Sequence, residues 1–186
     1  GALTRHLAAQ CQRVVAVELD QRLLPVLKYV LSDLDNVQLI HGDILALEPR
    51  TLLAPGYKVV ANIPYYITSN LLRHLLEADI QPQLLVLTVQ GEVARRIVAQ
   101  PGDMSLLAVS VQVYGYPRIV TRLKAGAFYP RPKVDSAVVH IDLRPPGRPA
   151  LEIPDLDLFF ELARAGFGQR RKQLHNALAA GSQLPR

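Results

Sequence analysis

The chain carries at residues 13–20 the stretch RVVAVELD, in which an apolar run from Val14 to Val17 is followed by Glu18 and Asp20. A short, continuous apolar run that ends in an acid is typical of a buried strand of a parallel sheet. Asp20 is suited to cap a helix, and the apolar stripe of that helix would consist of Leu23, Leu24, Leu27 and Leu31. The stretch therefore predicts a strand followed by a helix, the repeating unit of an α/β fold.

The same alternation continues on both sides of this stretch. Further strands are predicted at residues 37–41, 57–62 and 84–90, the last of them fully buried. Helices are predicted at residues 3–10, 69–77, 91–99 and 104–113, with Ser69 as the cap of the second. Two more strands, at 118–123 and 137–143, flank a proline-rich stretch. This order predicts a mostly parallel sheet with helices on both faces.

A Pro/Gly-rich stretch at residues 145–149 separates this domain from two further predicted helices at 156–167 and 169–180. We therefore predict an α/β domain over residues 1–147 and the start of a small all-helical domain over 152–186. A chain of 186 residues with 49% hydrophobic residues suffices for both. No apolar run approaches the length of a membrane span. The single cysteine, Cys11, excludes an internal disulfide and a multi-cysteine metal site, and no metal is expected.

The net charge of +5 is unevenly distributed. Residues 117–133 hold five basic residues and no acid, and residues 164–186 again hold basic residues without an acid. Such segregation indicates a polyanionic partner such as a nucleic acid, although a solvated basic face explains the charge equally well.

Polar residues stand where three successive predicted strands end: Glu18, Asp43 and Asn62. In open α/β sheets, ligands bind outside the carboxyl ends of the strands. A carboxylate suits the two hydroxyls of a ribose, and an acceptor on the next strand suits the exocyclic amine of an adenine. Each residue alone is better explained as a helix cap or a loop acid. Together, however, the three favour a nucleoside site.

The most specific motif is Asn62-Ile63-Pro64-Tyr65. Pro64 fixes its own φ angle and keeps Ile63 extended, so the Ile63 carbonyl and the Asn62 amide oxygen can converge on one point. Two acceptors there would hold both hydrogens of a primary amine and turn its lone pair towards an electrophile. Tyr65 offers a face for a stacked base. The alternative is a tight turn with two packed tyrosines.

At this point the chain resembles the ribosomal RNA adenine N6,N6-dimethyltransferases, the KsgA and Erm group. The matching segments, in the order and spacing of the family, are VVAVELD (14–20), GDIL (42–45), NIPYYI (62–67), FYPRPKVDSAVV (128–139) and FGQRRKQLHNAL (167–178). The last segment resembles the KsgA branch, which modifies two adjacent adenosines near the 3′ end of small-subunit rRNA. The resemblance implies a Rossmann-like sheet with a reversed last strand, followed by a small helical domain.

The resemblance also implies a cofactor, S-adenosyl-L-methionine, and roles for individual residues. The cofactor would be bound by Gly1, Glu18, Leu19, Asp43, Ile44 and Asn62. The target adenine would be held by Asn62, Ile63, Pro64 and Tyr65. Further RNA contacts would come from Phe128, Arg170, Arg171 and Lys172, although Arg171 and Lys172 fit equally well as helix residues whose charged ends reach solvent. The partner would be small-subunit rRNA or its precursor particle, in the cytoplasm, with no membrane contact and the enzyme monomeric.

Two departures from the family pattern affect these expectations. The glycine-rich loop is absent apart from Gly1, the first strand is expected to lie upstream, and the helical domain stops early. We therefore expect weak cofactor binding, weak or no activity and reduced RNA affinity from the chain as it stands. Three alternatives stay open: an Erm-type enzyme acting on large-subunit rRNA, a non-catalytic ribosome-assembly or RNA-binding factor, and a methyltransferase for small-molecule or DNA amines. The basic segments favour RNA over the last.

Overall fold

The computed structural model describes residues 1–143 and 153–168, together with Leu174, Asn176 and Leu178. The chain forms two compact units. The first consists of Gly1–Ala54 with Ala78–Ile80, and the second of Pro55–Glu77 with the chain from Gln81 onward.

The first unit is built around two parallel strands. Its elements are α1 (Ala2–Ala8), β1 (Val14–Glu18), a 3₁₀ turn (Gln21–Leu23), α2 (Leu24–Val30), β2 (Val37–His41) and α3 (Pro49–Leu52). Val14 lies opposite Val37 and Glu18 opposite His41. Asp20 accepts a hydrogen bond from the Arg22 backbone, which confirms the predicted cap, although the cap begins the 3₁₀ turn rather than α2 itself. The residues of β1 are half-buried, not fully buried as expected, because among the described residues β1 pairs with β2 alone.

Side chains connect α1 to the rest of the first unit. Arg5 donates to both Asp33 carboxylate oxygens, at 2.6 and 2.8 Å, and to the Val30 carbonyl at the end of α2. Asn36 donates to the carbonyls of Ala8 and Cys11, both at 2.8 Å. The bonds to Val30 and Ala8 satisfy carbonyls at the ends of α2 and α1, which have no partner within the helix. Polar contacts near the surface therefore help to hold α1 in the first unit.

The second unit contains a four-stranded sheet. Its strands are β3 (Lys58–Asn62), β4 (Leu84–Gln90), β5 (Tyr116–Leu123) and β6 (Ser136–Asp142), in the order β3-β4-β6-β5. β3 and β4 are parallel, whereas β6 is antiparallel to both of its neighbours. Three of the four strands, β3, β4 and β5, therefore run in the same direction, as expected for a mostly parallel sheet, and the reversed last strand that the resemblance implied is confirmed in β6.

One face of this sheet forms the core. Leu85, Leu87 and Val89 of β4 are at most 1% exposed, and Val139 and Ile141 of β6 are fully buried. The alternate residues of β4 are half-buried, so the prediction that the strand is buried on both faces is wrong. The helices of this unit are α4 (Thr68–Leu76), α5 (Gly91–Ile97), α6 (Leu106–Gln112) and α7 (Leu156–Gly168). Of these, α5 contacts β4, β5 and β6, and α6 contacts β5.

The start of α4 differs from the prediction. Ser69 does not cap it, because a 3₁₀ turn at Tyr65–Ile67 leads directly into the helix. The helix begins at Thr68, whose Oγ1 donates back to the Tyr65 carbonyl at 3.1 Å. This bond joins the start of α4 to the turn that precedes it.

The predicted helix at 156–167 is confirmed as α7, whose Phe160 ring stacks on Tyr114 with 6.1 Å between ring centroids. The boundary proposed between residues 147 and 152 falls outside the described residues, as does most of the helix predicted at 169–180, so both stay predictions. Within the described part of the chain, no helix has the length and apolar character needed to cross a bilayer.

Candidate active site

In the first unit, two acidic residues lie at or just beyond the carboxyl ends of two neighbouring parallel strands. Glu18 ends β1, and Asp43 comes two residues after the end of β2. The Gly42 N–H donates to the Glu18 carbonyl at 3.0 Å, which ties the two strand ends together. The sheet register therefore brings Glu18 and Asp43 to the same edge of this unit, as the sequence predicted.

The Glu18 carboxylate is oriented by the chain that follows it. Its Oε1 accepts the Asp20 N–H at 2.8 Å, while no described residue donates to Oε2. Asp20 is fixed in turn by Arg22, whose side chain and backbone N–H both donate to the Asp20 carboxylate and lower its pKa to about 2. Glu18 thus offers a held carboxylate with one oxygen available for a hydroxyl.

The residues next to these acids suit the flat ring of a base. Leu19 leaves 59% of its surface exposed, although burial of a leucine is favourable. Ile44 is half-buried, and Asp43 accepts the Leu45 N–H through Oδ1 at 2.9 Å, which leaves Oδ2 available. Gly1 is exposed at the start of α1. A nucleoside fits this set of acceptors and exposed apolar side chains.

In the second unit, the segment Asn62–Tyr65, here called the proline corner, follows the carboxyl end of β3. Pro64 has φ −58° and ψ 133°, and its carbonyl accepts the Ile67 N–H at 3.2 Å. Asn62 and Pro64 are exposed, whereas the Ile63 side chain is 6% exposed and anchors the corner in the core. The corner is therefore open to solvent at Asn62 and Pro64, and the fixed φ angle of Pro64 makes it rigid.

Tyr65 and Tyr66 differ sharply in this turn. Tyr65 is half-buried, and its hydroxyl lies 2.7 Å from the Ser136 Oγ at the start of β6. Tyr66 is 81% exposed, so the alternative of two packed tyrosines is wrong. Sequence analysis missed Ser136, although it belongs to the quoted segment FYPRPKVDSAVV. No local pattern relates a serine to a tyrosine 71 positions earlier.

The remaining predicted residues fall into two groups. Phe128 is half-buried at the end of a 3₁₀ turn (Ala125–Ala127), in the connection between β5 and β6. Beyond it, Tyr129, Arg131 and Lys133 are exposed. The predicted RNA-contacting residues Arg170, Arg171 and Lys172 lie outside the described residues.

Each unit therefore carries a part of the chemistry that the sequence predicted. The first brings Glu18 and Asp43 to one edge, where they form a polar edge suited to a nucleoside. The second carries the exposed Asn62 at the end of β3, at a rigid corner beside the half-buried ring of Tyr65. Acceptors at such a corner can hold an exocyclic amine, and the ring can stack on the base that carries it.

Comparison with known proteins points to one family. A family model described as ribosomal RNA adenine dimethylase matches residues 1–184. Ribosomal RNA small subunit methyltransferase A of Dehalococcoides mccartyi strain CBDB1 is 50% identical over 184 residues, which cover 97% of this chain and 62% of that protein. The chain thus spans less than two thirds of the length of this curated relative.

Two solved structures of high similarity agree with this result. The 23S rRNA methyltransferase ErmE superposes with a TM-score of 0.80 at 29% identity, covering 98% of this chain and 72% of that one. A dimethyladenosine transferase from Plasmodium falciparum superposes with a TM-score of 0.78 at 26% identity, covering 96% and 63%. The fold is thus the mixed α/β, Rossmann-like fold of methyltransferases.

Proposed function

The chain belongs to the ribosomal RNA adenine dimethylase family, and from this we propose that its protein dimethylates N6 of two adjacent adenosines near the 3′ end of small-subunit rRNA. The observation that carries the proposal is the proline corner, where the exposed Asn62 precedes a rigid turn that contains an anchored tyrosine. The methyl donor is S-adenosyl-L-methionine. The protein acts as a cytoplasmic monomer on a precursor of the small subunit.

The first unit holds the nucleoside part of the cofactor. Glu18 accepts hydrogen bonds from the ribose hydroxyls through its available oxygen, and Asp43 accepts one from the adenine amine. Leu19 and Ile44 pack on the ring, and Gly1 completes the cofactor residues of this unit. When bound, the cofactor would supply a methyl group on a positively charged sulfur; the bond between this methyl group and the sulfur breaks as the bond to N6 forms, and S-adenosylhomocysteine leaves as a neutral thioether.

The proline corner prepares the target nitrogen. The Asn62 amide oxygen and the Ile63 carbonyl accept the two N6 hydrogens, which draws the nitrogen lone pair out of the ring and aims it outward. Tyr65 stacks on the extruded adenine, and Phe128 lies near the same base. No protein base is needed, because a proton on a methylated, positively charged nitrogen is acidic enough to leave to water.

Contacts with the rest of the RNA come from basic residues. Within the described part of the chain, the connection between β5 and β6 exposes Arg131 and Lys133. Arg170, Arg171 and Lys172 extend this set. Neutralised phosphates release counterions, so such residues supply affinity without reading sequence.

The test uses the full-length protein and undermethylated small subunits, with tritium transfer as the readout and primer extension to map the modified positions. We expect Asn62→Ala to lower the transfer rate by roughly 100-fold or more while RNA binding stays nearly intact. Asn70→Ala, an exposed asparagine on α4, is the matched control and should behave like the parent.

Three outcomes would contradict the proposal. Transfer to purified large subunits but not to small subunits would identify an Erm-type enzyme. Equal transfer by Asn62→Ala and the parent would remove the role of the proline corner. A parent without any transfer would favour a non-catalytic assembly factor.

A further inference from the structure

Ser136 is an unusual residue to find in the core of the second unit. It is 1% exposed, at the first position of β6, where it lies opposite Gln90 of β4 and Leu123 of β5. A buried hydroxyl without a partner is costly, and the hydroxyl of Ser136 has its partner in Tyr65 at 2.7 Å. The contact therefore joins the start of β6 to the proline corner.

Tyr65 is held at both of its ends. Its carbonyl accepts the Thr68 hydroxyl at 3.1 Å, and Thr68 is itself 2% exposed, so the backbone of the tyrosine is fixed. The backbone bond leaves the two side-chain torsions of the ring undetermined. The bond between the Tyr65 hydroxyl and Ser136 restricts those torsions, because it fixes the far end of the ring.

Ser136 is a firm anchor because the residue before it is fixed by two other segments. The Asp135 carbonyl accepts the Gly91 N–H at 2.9 Å, where α5 begins. A Cβ atom on Gly91 would lie 3.3 Å from that carbonyl oxygen, so glycine permits the close approach. The Asp135 carboxylate accepts the Ala125 N–H at 2.9 Å. Ser136 cannot shift without breaking these bonds or its pairing in the sheet.

We propose that Ser136 is a positioning residue that acts through Tyr65. It holds the tyrosine ring in the orientation on which the target adenine stacks, and it does not touch the substrate itself. This inference rests on the proposed function, because it assumes that Tyr65 stacks on the adenine. A ring fixed before the substrate arrives favours the reactive geometry, so Ser136 affects the rate of transfer more than the affinity for RNA.

The experiment is a double-mutant cycle in the full-length protein with undermethylated small subunits. Ser136→Ala and Tyr65→Phe each remove one partner of the bond and leave the aromatic ring in place. We expect each to lower kcat by roughly 10- to 100-fold, with KM for the subunit changed less than about two-fold. The double variant should be no slower than the slower single variant, because both changes remove the same interaction.

Two controls separate positioning from a general structural role. Ser32→Ala removes a serine hydroxyl that donates to the Tyr29 carbonyl in the first unit, and kcat should stay at the parent value. Thermal melting of every variant reports whether it is folded. Tyr65→Phe leaves Ser136 unchanged, so it tests the proposal even where Ser136→Ala fails to fold.

The possible failures are distinguishable. An active parent whose two variants lose activity additively, or lose only affinity for the subunit, would overturn the role of Ser136 and leave the proposed function standing. An active Tyr65→Phe with the kcat of the parent would do the same. A parent that transfers no methyl group to either subunit would overturn the proposed function and this inference together.

Discussion

The acidic strand ends of the first unit and the proline corner of the second are held in different ways. Glu18, Asp20 and Asp43 are oriented by hydrogen bonds to backbone N–H groups two residues away. Tyr65, by contrast, is held by a serine 71 positions further along the chain, at the start of a strand that belongs to the core. The acidic ends thus depend on local chain geometry, whereas the corner depends on the packing of its whole unit.

The first prediction compares how much a core residue of the second unit and an exposed residue of the first contribute to the free energy of unfolding. Leu87 of β4 is 1% exposed in the core of the second unit, and Leu19 at the acidic end is 59% exposed. We expect Leu87→Ala to lower the free energy of unfolding by about 2–5 kcal/mol, because it leaves a cavity. The same substitution at Leu19 should change it by less than about 0.5 kcal/mol. Urea denaturation followed by circular dichroism measures both, and equal losses would contradict the difference.

The second prediction concerns function at the acidic ends. Glu18→Gln keeps the size of the side chain but removes the negative charge, which would strengthen the hydrogen bonds that the side chain accepts from the ribose hydroxyls. We expect the affinity for S-adenosyl-L-methionine to fall roughly 10- to 100-fold, with the melting temperature nearly unchanged. Isothermal titration calorimetry on the full-length protein measures the affinity.

The control is Asp35→Asn, which removes an acid that precedes β2, at the opposite end of the same strands. Equal losses in the two variants would contradict a specific role for Glu18.

The third prediction compares exposed basic residues of the two units. In the second unit, Arg131→Ala with Lys133→Ala should reduce the slope of log affinity against log salt by roughly 1.4, the value for two contacts to single-stranded RNA. In the first unit, Arg13→Ala with Lys28→Ala removes the same charge and should leave the slope unchanged. Fluorescence anisotropy with labelled rRNA over a salt series measures both slopes. A similar change of slope in the two double variants would mean that the affinity for RNA depends only on the net charge of the protein.

The contrast between the two regions also explains what the sequence could predict. The strand of residues 13–18, the cap at Asp20 and the position of Asn62 depend on residues within a few positions, so local patterns predict them. The prediction that β4 is buried on both faces was wrong, because a continuous apolar run does not show which neighbours a strand has. β6 lies between β4 and β5, and only tertiary structure determines that order.

In the candidate site, too, the features that depend on neighbouring residues could be predicted, and those that depend on tertiary structure could not. The motif Asn62–Tyr65 was visible in the sequence because Pro64 imposes its geometry locally. The role of Ser136 was not visible, since its hydrogen bond to Tyr65 forms only when β6 pairs with β4 in the folded sheet. The nucleoside-binding roles of Glu18 and Asp43 were inferred from their places at the strand ends as well as from the family resemblance, and that of Phe128 from the resemblance alone; all three stay predictions.

The smallest expected effect is at Asp20, whose side-chain and backbone bonds from Arg22 lower its pKa to about 2 from an ordinary value of 3.8. Because the folded pKa lies below the unfolded one, this local order is fully present above about pH 4 and is lost as the pH falls towards 2. Arg22→Ala should raise the Asp20 pKa towards 3.8 but not fully, since the Arg22 backbone N–H still donates. Arg13→Ala should leave it unchanged.

An NMR titration of the Asp20 carboxyl carbon measures this pKa in the parent and both variants. The local bonds predict a midpoint near 2 in the parent, even though the side chain contributes little to global stability. A parent midpoint at 3.8 would mean that the loop after β1 is not ordered by its own hydrogen bonds. Glu18 would then need an anchor from elsewhere in the fold, as Tyr65 does, and the two regions would no longer differ in how they are held.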